Sequence, residues 1–260
     1  MNLCTVTNRK YINNVINLIK SYEINSCGKS AYVYIFDCAD EDIEKIKDNT
    51  SDTVEIIEIP KVCDHAHYPT GFFYKIYAIK DCLHNFGSLI YSDSTNCFIK
   101  KFTDYKAYTD GGRLFLPYTS PKLINQFWST KKSLKAMNCT AASIMPQYWA
   151  GFQVYENTVF NLQFVAEMYE YGLNPDICLS PTTQYPDGRS SPCIEHRMDQ
   201  TILSALIHKH NIHQRFNSIT QQMFGDWQTF RVFDPAYQVN KDLMVLSARE
   251  SKFGNFRFLS

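Results

Sequence analysis

Short apolar runs alternate with amphipathic segments in the amino-terminal part of this chain, and this alternation constrains the fold more than any other feature. The apolar runs have the β-branched and aromatic content of buried strands and lie at residues 3–6, 31–36, 53–59 and 88–91. The amphipathic segments have helical spacing and lie at residues 11–22, 40–47 and 72–83. Such an order predicts an α/β fold with a mainly parallel central sheet, right-handed crossovers and flanking helices.

The composition supports one compact domain over residues 1–260. Hydrophobic residues make up 45% and aromatic residues 15% of the chain, which is enough for a sizeable core. Lysine plus arginine and aspartate plus glutamate number 26 each, so the formal charge is zero. General binding of nucleic acid depends on a basic excess or a clustered basic face, and a nucleic-acid partner is therefore not expected.

Cysteine usage and the first residues bear on localisation. The nine cysteines are scattered, odd in number and contain no Cys-x-x-Cys pair, which favours reduced thiols in a cytoplasmic protein. Residues 1–6 lead directly into the first strand without a basic region and a long apolar run, so no signal peptide is expected. No stretch approaches the roughly 18 apolar residues of a transmembrane helix. A lumenal domain separated from its anchor is the alternative.

Asp93 is the strongest indication of function, because it lies at the carboxyl end of the fourth predicted strand. In open α/β sheets, ligands bind beyond the carboxyl ends of the strands, so Asp93 is expected to face a site. The alternative is an aspartate that only caps a turn. After the first strand, Thr7-Asn8-Arg9-Lys10 lacks the glycine-rich turn of a dinucleotide-binding or Walker-type loop, and this also disfavours a nucleotidyltransferase.

The pattern is looser after Asp93. Residues 180–193 contain three prolines with many Ser and Thr residues, and are predicted to form a loop. Another helix has Asp199 in its first turn, where the helix dipole favours an acid. The predicted elements are a short helix at 121–128, one strand at 148–155, a helix from a cap at Asn157 to residue 169, a helix at 197–207 and a strand at 243–246.

Several of these features follow the order found in one enzyme family. The first strand ends at Thr7-Asn8, Lys75 lies on the helix before Asp93, a small-residue turn occurs at Ala150-Gly151, and Asp199-Gln200 opens a later helix. In this order and spacing the chain resembles the GT-A type nucleotide-sugar glycosyltransferases, particularly family 8 and its uncharacterised relatives. The resemblance implies a single GT-A domain, with residues 1–100 as the nucleotide-binding half and residues 101–260 as the acceptor-binding half.

The resemblance also implies an activity, namely transfer of a hexose or related sugar from a nucleoside-diphosphate sugar to a carbohydrate or protein hydroxyl. Uridine diphosphate is the expected nucleotide, and retention or inversion of the anomeric configuration stays open. Asp199 is expected to act on the acceptor hydroxyl as a base or to orient sugar hydroxyls, and Gln200 to hold the donor sugar. The residues expected to bind the nucleotide sugar are Thr7, Asn8, Lys75, Ser92, Asp93, Ala150, Gly151, Arg249 and Lys252.

The source of positive charge for the departing diphosphate is where the chain differs from the family pattern. The family pattern implies Mn²⁺ or Mg²⁺, here bound by Asp93 and by Thr95, a hydroxyl in place of the second carboxylate. The family's carboxyl-terminal metal-binding histidine is missing, because no His follows His213. Lys75, Arg249 and Lys252 are the alternative source of charge. A non-catalytic carbohydrate- or nucleotide-binding protein of the same fold is the alternative function.

Histidines and cysteines suggest a rival metal site. Residues 63–67 and 208–213 contain metal-ligand residue types, and Cys193 and His196 lie close together in sequence. A zinc site requires paired ligands at defined spacing followed by a second pair, and only fragments are present, so no zinc site is expected. His65 or His67 is a candidate for lining the donor pocket.

Overall fold

The structure, a computed structural model, describes residues 1–25, 30–68, 71–98, 119–179, 193–212, 224–225 and 245–247. The amino-terminal strands and helices follow the predicted order. They are β1 (Asn2–Thr7), α1 (Ile12–Asn25), β2 (Ala31–Ile35), α2 (Asp40–Asp48), β3 (Val54–Glu58), α3 (Phe73–Phe86) and β4 (Leu89–Ser92). The predicted alternation of strands and helices is therefore confirmed for this part of the chain.

The central sheet has five strands in the order β3-β2-β1-β4-β8, in which β8 is Phe152–Tyr155. The first four strands are parallel, and β8 pairs antiparallel with β4. Leu3 of β1 packs with Leu18 of α1 on one face, whereas Cys4 packs with Ala78 of α3 on the other. The predicted α/β architecture is confirmed, since helical crossovers cover both faces of a mainly parallel sheet.

The carboxyl-terminal part adds two small sheets and a helical layer. The small sheets have the orders β5-β10-β9 and β6-β7, and short 3-10 helices occupy Arg9–Tyr11 and Thr140–Ile144. The remaining elements are β5 (Asn96–Phe98), β6 (Thr119–Ile124), α4 (Asn125–Trp128), α5 (Lys131–Ala136), β7 (Pro146–Tyr148), α6 (Val159–Leu173), α7 (Pro175–Cys178), α8 (Met198–Lys209), β9 (Phe224–Gly225) and β10 (Val245–Ser247).

Three predictions for this part were wrong in detail. The strand predicted at 148–155 is two strands, because β7 and β8 belong to different sheets. Residues 121–124, predicted as helix, belong to β6, and pairing with β7 delays the helix until Asn125. Thr158 rather than Asn157 caps α6, since its hydroxyl oxygen accepts a hydrogen bond from the backbone amide of Asn161 at 3.2 Å.

One hydrophobic core joins the two parts of the chain. Tyr91 of β4 and Leu206 of α8 belong to the same buried cluster, in which α3 and α6 also pack. The division into a nucleotide-binding and an acceptor-binding half stays a prediction. Every helix that the structure describes is too short or too polar to cross a lipid bilayer.

Candidate functional site

Asp93 lies at the carboxyl edge of the central sheet, in a tight turn between β4 and β5. Its backbone amide donates a hydrogen bond to the Gly151 carbonyl at 2.9 Å, and its carbonyl accepts one from the Asn96 amide at 2.9 Å. The buried side chain of Asn96 donates from Nδ2 to Ser92 Oγ at 3.0 Å and to the Gly151 carbonyl at 2.8 Å. Hydrogen bonds on both sides therefore fix the turn that presents Asp93.

Lys75 reaches Asp93 from the first turn of α3. Its ammonium lies 2.9 Å from Oδ1 of Asp93 and 3.3 Å from Oδ2 of Asp199. The side chain of Lys75 is 12% exposed and that of Asp199 8%, whereas Asp93 retains 27%. One nearly buried ammonium thus joins a carboxylate at the end of β4 to a carboxylate at the start of α8. We refer to Lys75, Asp93 and Asp199 as the charged triad.

Phe72 shapes the start of the helix that carries Lys75. It has φ 52° and ψ 12°, a left-handed conformation that is unusual for a bulky residue. Its carbonyl accepts a hydrogen bond from the Lys75 amide at 3.1 Å, and its ring centroid lies 4.8 Å from the Lys75 ammonium. An aromatic face attracts a cation at this distance, so Phe72 adds a third contact to the ammonium.

Asp199 occupies the first turn of α8, where the helix dipole favours a negative charge. Its Oδ2 is buried and has no hydrogen-bond partner among the described residues, so the 3.3 Å contact with Lys75 is an ion pair rather than a well-directed hydrogen bond. Gln200 follows it and is partly buried. The structure thus brings Asp199, Lys75 and Asp93 together although they are far apart in sequence.

Burial and charge act in opposite directions on the charged triad. Burial disfavours the Lys75 ammonium, but attraction to Asp199 and Asp93 outweighs it and raises the pKa of Lys75. Burial also raises the pKa of Asp199, and although Lys75 acts to lower it, the repulsion from Asp93 adds to burial and the pKa stays above its ordinary value. Lys75 therefore stays protonated at neutral pH, and its positive charge favours the ionised form of Asp199.

Tyr91 supplies a further donor to Asp93. Its hydroxyl donates a hydrogen bond to Oδ1 of Asp93 at 3.0 Å. Burial, and then the nearby Asp93 carboxylate, raise the pKa of the Tyr91 hydroxyl, which keeps it protonated. Oδ1 of Asp93 therefore receives both the Lys75 ammonium and a neutral O–H group.

The predicted small-residue turn at Ala150-Gly151 lies directly against Asp93. Ala150 is buried, and its carbonyl accepts a hydrogen bond from Nε2 of Gln153 at 2.8 Å. A Cβ atom on Gly151 would lie 2.4 Å from Cζ2 of Trp149, closer than real side chains allow. Glycine is needed here because the Trp149 ring packs against the turn whose carbonyl holds Asp93.

Thr7 and Asn8 lie at the carboxyl end of β1, next to β4. Oδ1 of Asn8 accepts a hydrogen bond from the Lys10 amide at 3.1 Å and caps the 3-10 helix that follows. Within the described residues, no hydrogen bond joins Thr7 or Asn8 to the charged triad. Their role in binding a nucleotide base stays a prediction.

The described residues do not supply the ligand set expected for Mn²⁺ or Mg²⁺. Oδ1 of Asp93 already contacts Lys75 and Tyr91, and Thr95 offers only a partly buried hydroxyl. Hard divalent cations prefer several oxygen ligands, carboxylates above all. In the ranges that the structure describes, no three His, Cys, Asp or Glu side chains converge as a metal site. Arg249 and Lys252, predicted to close over the diphosphate, lie outside those ranges.

The histidines of the rival site contact the main chain. Nε2 of His65, His67 and His196 each lies 2.8 Å from a backbone carbonyl oxygen. His65 and His196 are buried, and burial lowers the pKa of the His196 imidazole. These contacts are typical of histidines that stabilise the fold, and lining of the donor pocket by His65 or His67 stays a prediction.

Sequence reasoning missed Phe72, Tyr91 and Asn96 as members of this site. Tyr91 precedes Asp93 by two positions in extended chain. Side chains two positions apart in a strand point to the same face, so the sequence alone could have placed Tyr91 beside Asp93. Asn96 is a polar residue in a short strand, which gives a weak signal. The left-handed Phe72 gave none, because a positive φ is associated with Gly, Asn and Asp rather than Phe.

Solved structures provide a comparison for this arrangement. The bifunctional glycosyltransferase WbbM in its apo form is 11% identical, with a TM-score of 0.54, over 79% of this chain and 37% of its own. The galactosyltransferase LgtC, solved with donor and acceptor sugar analogues, is 13% identical, with a TM-score of 0.54, over 94% of this chain and 86% of its own. No protein-family model and no curated protein sequence match the chain.

These likenesses concern the fold, because sequence identity is low in both pairs. The chain spans just over a third of WbbM but most of LgtC. Both neighbours have the mixed α/β architecture of a mostly parallel sheet flanked by helices. The predicted GT-A fold is confirmed, and the chain has the fold of these glycosyltransferases.

Proposed function

We propose that this chain is a glycosyltransferase that moves a hexose or related sugar from a nucleoside-diphosphate sugar, with uridine diphosphate as the nucleotide, to a hydroxyl of a carbohydrate or protein. The observation that carries the proposal is the charged triad at the carboxyl edge of β4. In an open α/β sheet this edge is where ligands bind. A buried ion-paired cluster with a raised aspartate pKa at that edge is typical of a functional site.

The transfer step breaks the bond between the anomeric carbon and the diphosphate oxygen and forms a bond from that carbon to the acceptor oxygen. The diphosphate leaves with the electron pair of the broken bond, and the acceptor hydroxyl loses its proton. Positive charge near the diphosphate stabilises the leaving group, and carboxylates orient hydroxyl groups or accept the proton. Lys75 would stabilise the leaving diphosphate, together with Arg249 and Lys252, which lie outside the described residues. Asp199 would accept the proton or orient sugar hydroxyls, Asp93 would orient a hydroxyl of the donor, and Gln200 would hold the donor sugar.

The neighbour LgtC supports this proposal, because its structure contains donor and acceptor sugar analogues on the same fold. Binding of the nucleotide by Thr7, Asn8, Ser92 and the Ala150-Gly151 turn belongs to the same proposal. Gly151 and Ser92 would support nucleotide binding by positioning Asp93, since both accept hydrogen bonds within the turn that holds it.

A panel of nucleotide sugars tests the function. Purified protein is incubated with each sugar in Mn²⁺ and in EDTA, and released nucleoside diphosphate is measured. We expect turnover with a uridine-diphosphate sugar and a loss of about 100-fold in Asp93→Asn and Asp199→Asn, the scale expected for groups that act at the reacting atoms. The matched control is Asp81→Asn, since Asp81 lies on the same helix as Lys75 but accepts a hydrogen bond from Tyr34 at 2.7 Å.

A non-catalytic binding protein of the same fold is the second candidate. Thr95 favours it, because a hydroxyl replaces the second carboxylate of the family pattern. Nucleotide binding by thermal shift, without release of nucleoside diphosphate from any sugar nucleotide, would support this second candidate. Absence of both turnover and thermal shift would contradict the glycosyltransferase and any nucleotide-binding role.

A further inference from the structure

The charged triad has a protein-borne cation at its centre. The Lys75 ammonium contacts Asp93 at 2.9 Å and Asp199 at 3.3 Å, and the face of Phe72 at 4.8 Å closes a third side. An ammonium has three N–H donors, so it can contact both carboxylates and still donate to a further acceptor. These contacts hold the ammonium in place, and the Lys75 side chain stays 12% exposed, which keeps it accessible to a ligand.

The Lys75 ammonium already offsets one of the two negative charges that could attract a second cation. Two carboxylates and one ammonium carry one net negative charge, and Oδ1 of Asp93 also accepts the Tyr91 hydroxyl. A divalent ion on that oxygen would have to displace the hydroxyl or lie close to the ammonium, which repels it. Asp199 offers no independent site, because its Oδ2 is buried against the same ammonium.

The neighbouring sequence removes the usual second ligand. Where the family pattern has a carboxylate two positions after Asp93, this chain has Thr95, which is neutral and a poor ligand for Mn²⁺ or Mg²⁺. This site therefore carries one negative charge fewer than the family pattern at position 95. The neutral Thr95 and the Lys75 ammonium both lower the attraction of the site for a divalent ion.

We propose that the Lys75 ammonium is the resident cation of this site, and that the chain binds the diphosphate of its donor without a divalent metal. The choice of a nucleoside diphosphate as ligand rests on the proposed function. The cationic role of Lys75 rests on the contacts of the charged triad alone.

Two titrations test the inference. Mn²⁺ is titrated into wild-type protein and into Asp93→Asn and Thr95→Asp, with free Mn²⁺ followed by electron paramagnetic resonance, with and without uridine diphosphate. We expect no Asp93-dependent Mn²⁺ binding in the wild type, and new binding in Thr95→Asp, which restores the second carboxylate. Saturable Mn²⁺ binding that is lost in Asp93→Asn would overturn the inference.

Nucleotide binding is then measured by calorimetry with uridine diphosphate. We expect affinities in EDTA and in Mn²⁺ to agree within about twofold, and Lys75→Met to weaken binding by about tenfold or more. Lys80→Met is the matched control, because Lys80 lies on the same helix over the ring of Tyr169 at 4.2 Å. Binding that requires Mn²⁺ would overturn the inference. If uridine diphosphate binds in neither buffer, the proposed function fails, and the Mn²⁺ titration still decides whether Asp93 binds a divalent metal.

Discussion

The backbone amide of Asp93 donates a hydrogen bond to the carbonyl oxygen of Gly151 at 2.9 Å, so the end of β4 and the turn before β8 form one structural unit. The two strands are antiparallel neighbours, and Ser92 pairs with Phe152 at the last position of the ladder. The candidate acid is therefore positioned by the strand that precedes it and by a turn more than fifty residues later. Changes in that turn should act on Asp93 through this bond.

Gly151→Ala should displace the Trp149 ring and with it the turn. The added Cβ would lie 2.4 Å from Cζ2 of Trp149, and forced overpacking of this kind costs about 1–3 kcal/mol. We expect a lower free energy of unfolding in urea and a loss of donor turnover. Trp149→Leu in the Gly151→Ala background should recover part of the loss, because it removes the atoms that clash. Equal losses in the single and double variants would contradict this explanation.

Lys75→Met should destabilise the fold in a pH-dependent way. Removing one partner of a nearly buried ion pair leaves Asp199 charged and unpaired, at a cost of about 3 kcal/mol. The pKa of Asp199 is already raised by burial, and loss of Lys75 raises it further. When the pKa of a group is higher in the folded than in the unfolded protein, folding is favoured below the unfolded pKa. This stability is lost as the pH rises through the folded pKa, and Asp199 in Lys75→Met is such a group. The deficit of Lys75→Met should therefore be larger at pH 8 than at pH 5 in urea unfolding.

Asp199→Asn in the Lys75→Met background provides the control for this prediction. The neutral amide removes the unpaired charge, so the double variant should be more stable than Lys75→Met and should lose most of the pH dependence. A deficit of Lys75→Met that stays constant between these pH values would show that lost packing, not charge, causes it.

The order of strands and helices could be predicted because the inner parallel strands β1, β2 and β4 are largely buried and carry short apolar runs. The same signal failed at residues 148–155, where an apolar run contains two strands of different sheets. The break is caused by Gly151, whose carbonyl serves Asp93 and whose missing side chain accommodates Trp149. The bond to Asp93 cannot be read from local sequence, because its two partners are far apart in the chain.

The site could be predicted only in part for the same reason. Asp93 has a local signal, since it ends a strand, but its link to Asp199 runs through Lys75 and depends on how α3 and α8 pack. Lys75 and Asp199 were suggested by resemblance to a family, whereas their shared ion pair is a property of the folded chain. Phe72 has its left-handed conformation at the start of α3, where its ring also lies over the Lys75 ammonium.

Asn96→Ala should impair both stability and turnover. The buried Asn96 side chain donates to Ser92 and to the Gly151 carbonyl, and removal of a buried donor that leaves acceptors unpaired costs about 1–3 kcal/mol. Because these bonds hold the turn of Asp93, we expect the turnover number to fall more than the Michaelis constant rises. Asn25→Ala is the matched control, since Nδ2 of Asn25 likewise donates to two carbonyls, at 2.9 and 3.0 Å. It should lose stability and keep turnover.

Glu167→Gln should lower stability without affecting turnover, because Glu167 joins α6 to α8 away from the charged triad. Its carboxylate contacts Lys209 and the imidazole of His210, each at 2.6 Å. Burial acts to raise the pKa of Glu167, but the hydrogen bonds from Lys209 and His210 outweigh it and lower the pKa. The stability that Glu167 contributes is therefore present above its pKa in the unfolded chain and is lost as the pH falls through its pKa in the folded protein.

Because Glu167 and its two partners are partly exposed, we expect Glu167→Gln to lower the free energy of unfolding by about 1 kcal/mol at neutral pH, and by less in acid. Urea unfolding measures it, and Asp176→Asn, which breaks the more exposed pair with Lys132, should change little. A loss in Glu167→Gln that grows on acidification would contradict the assigned direction of its pKa.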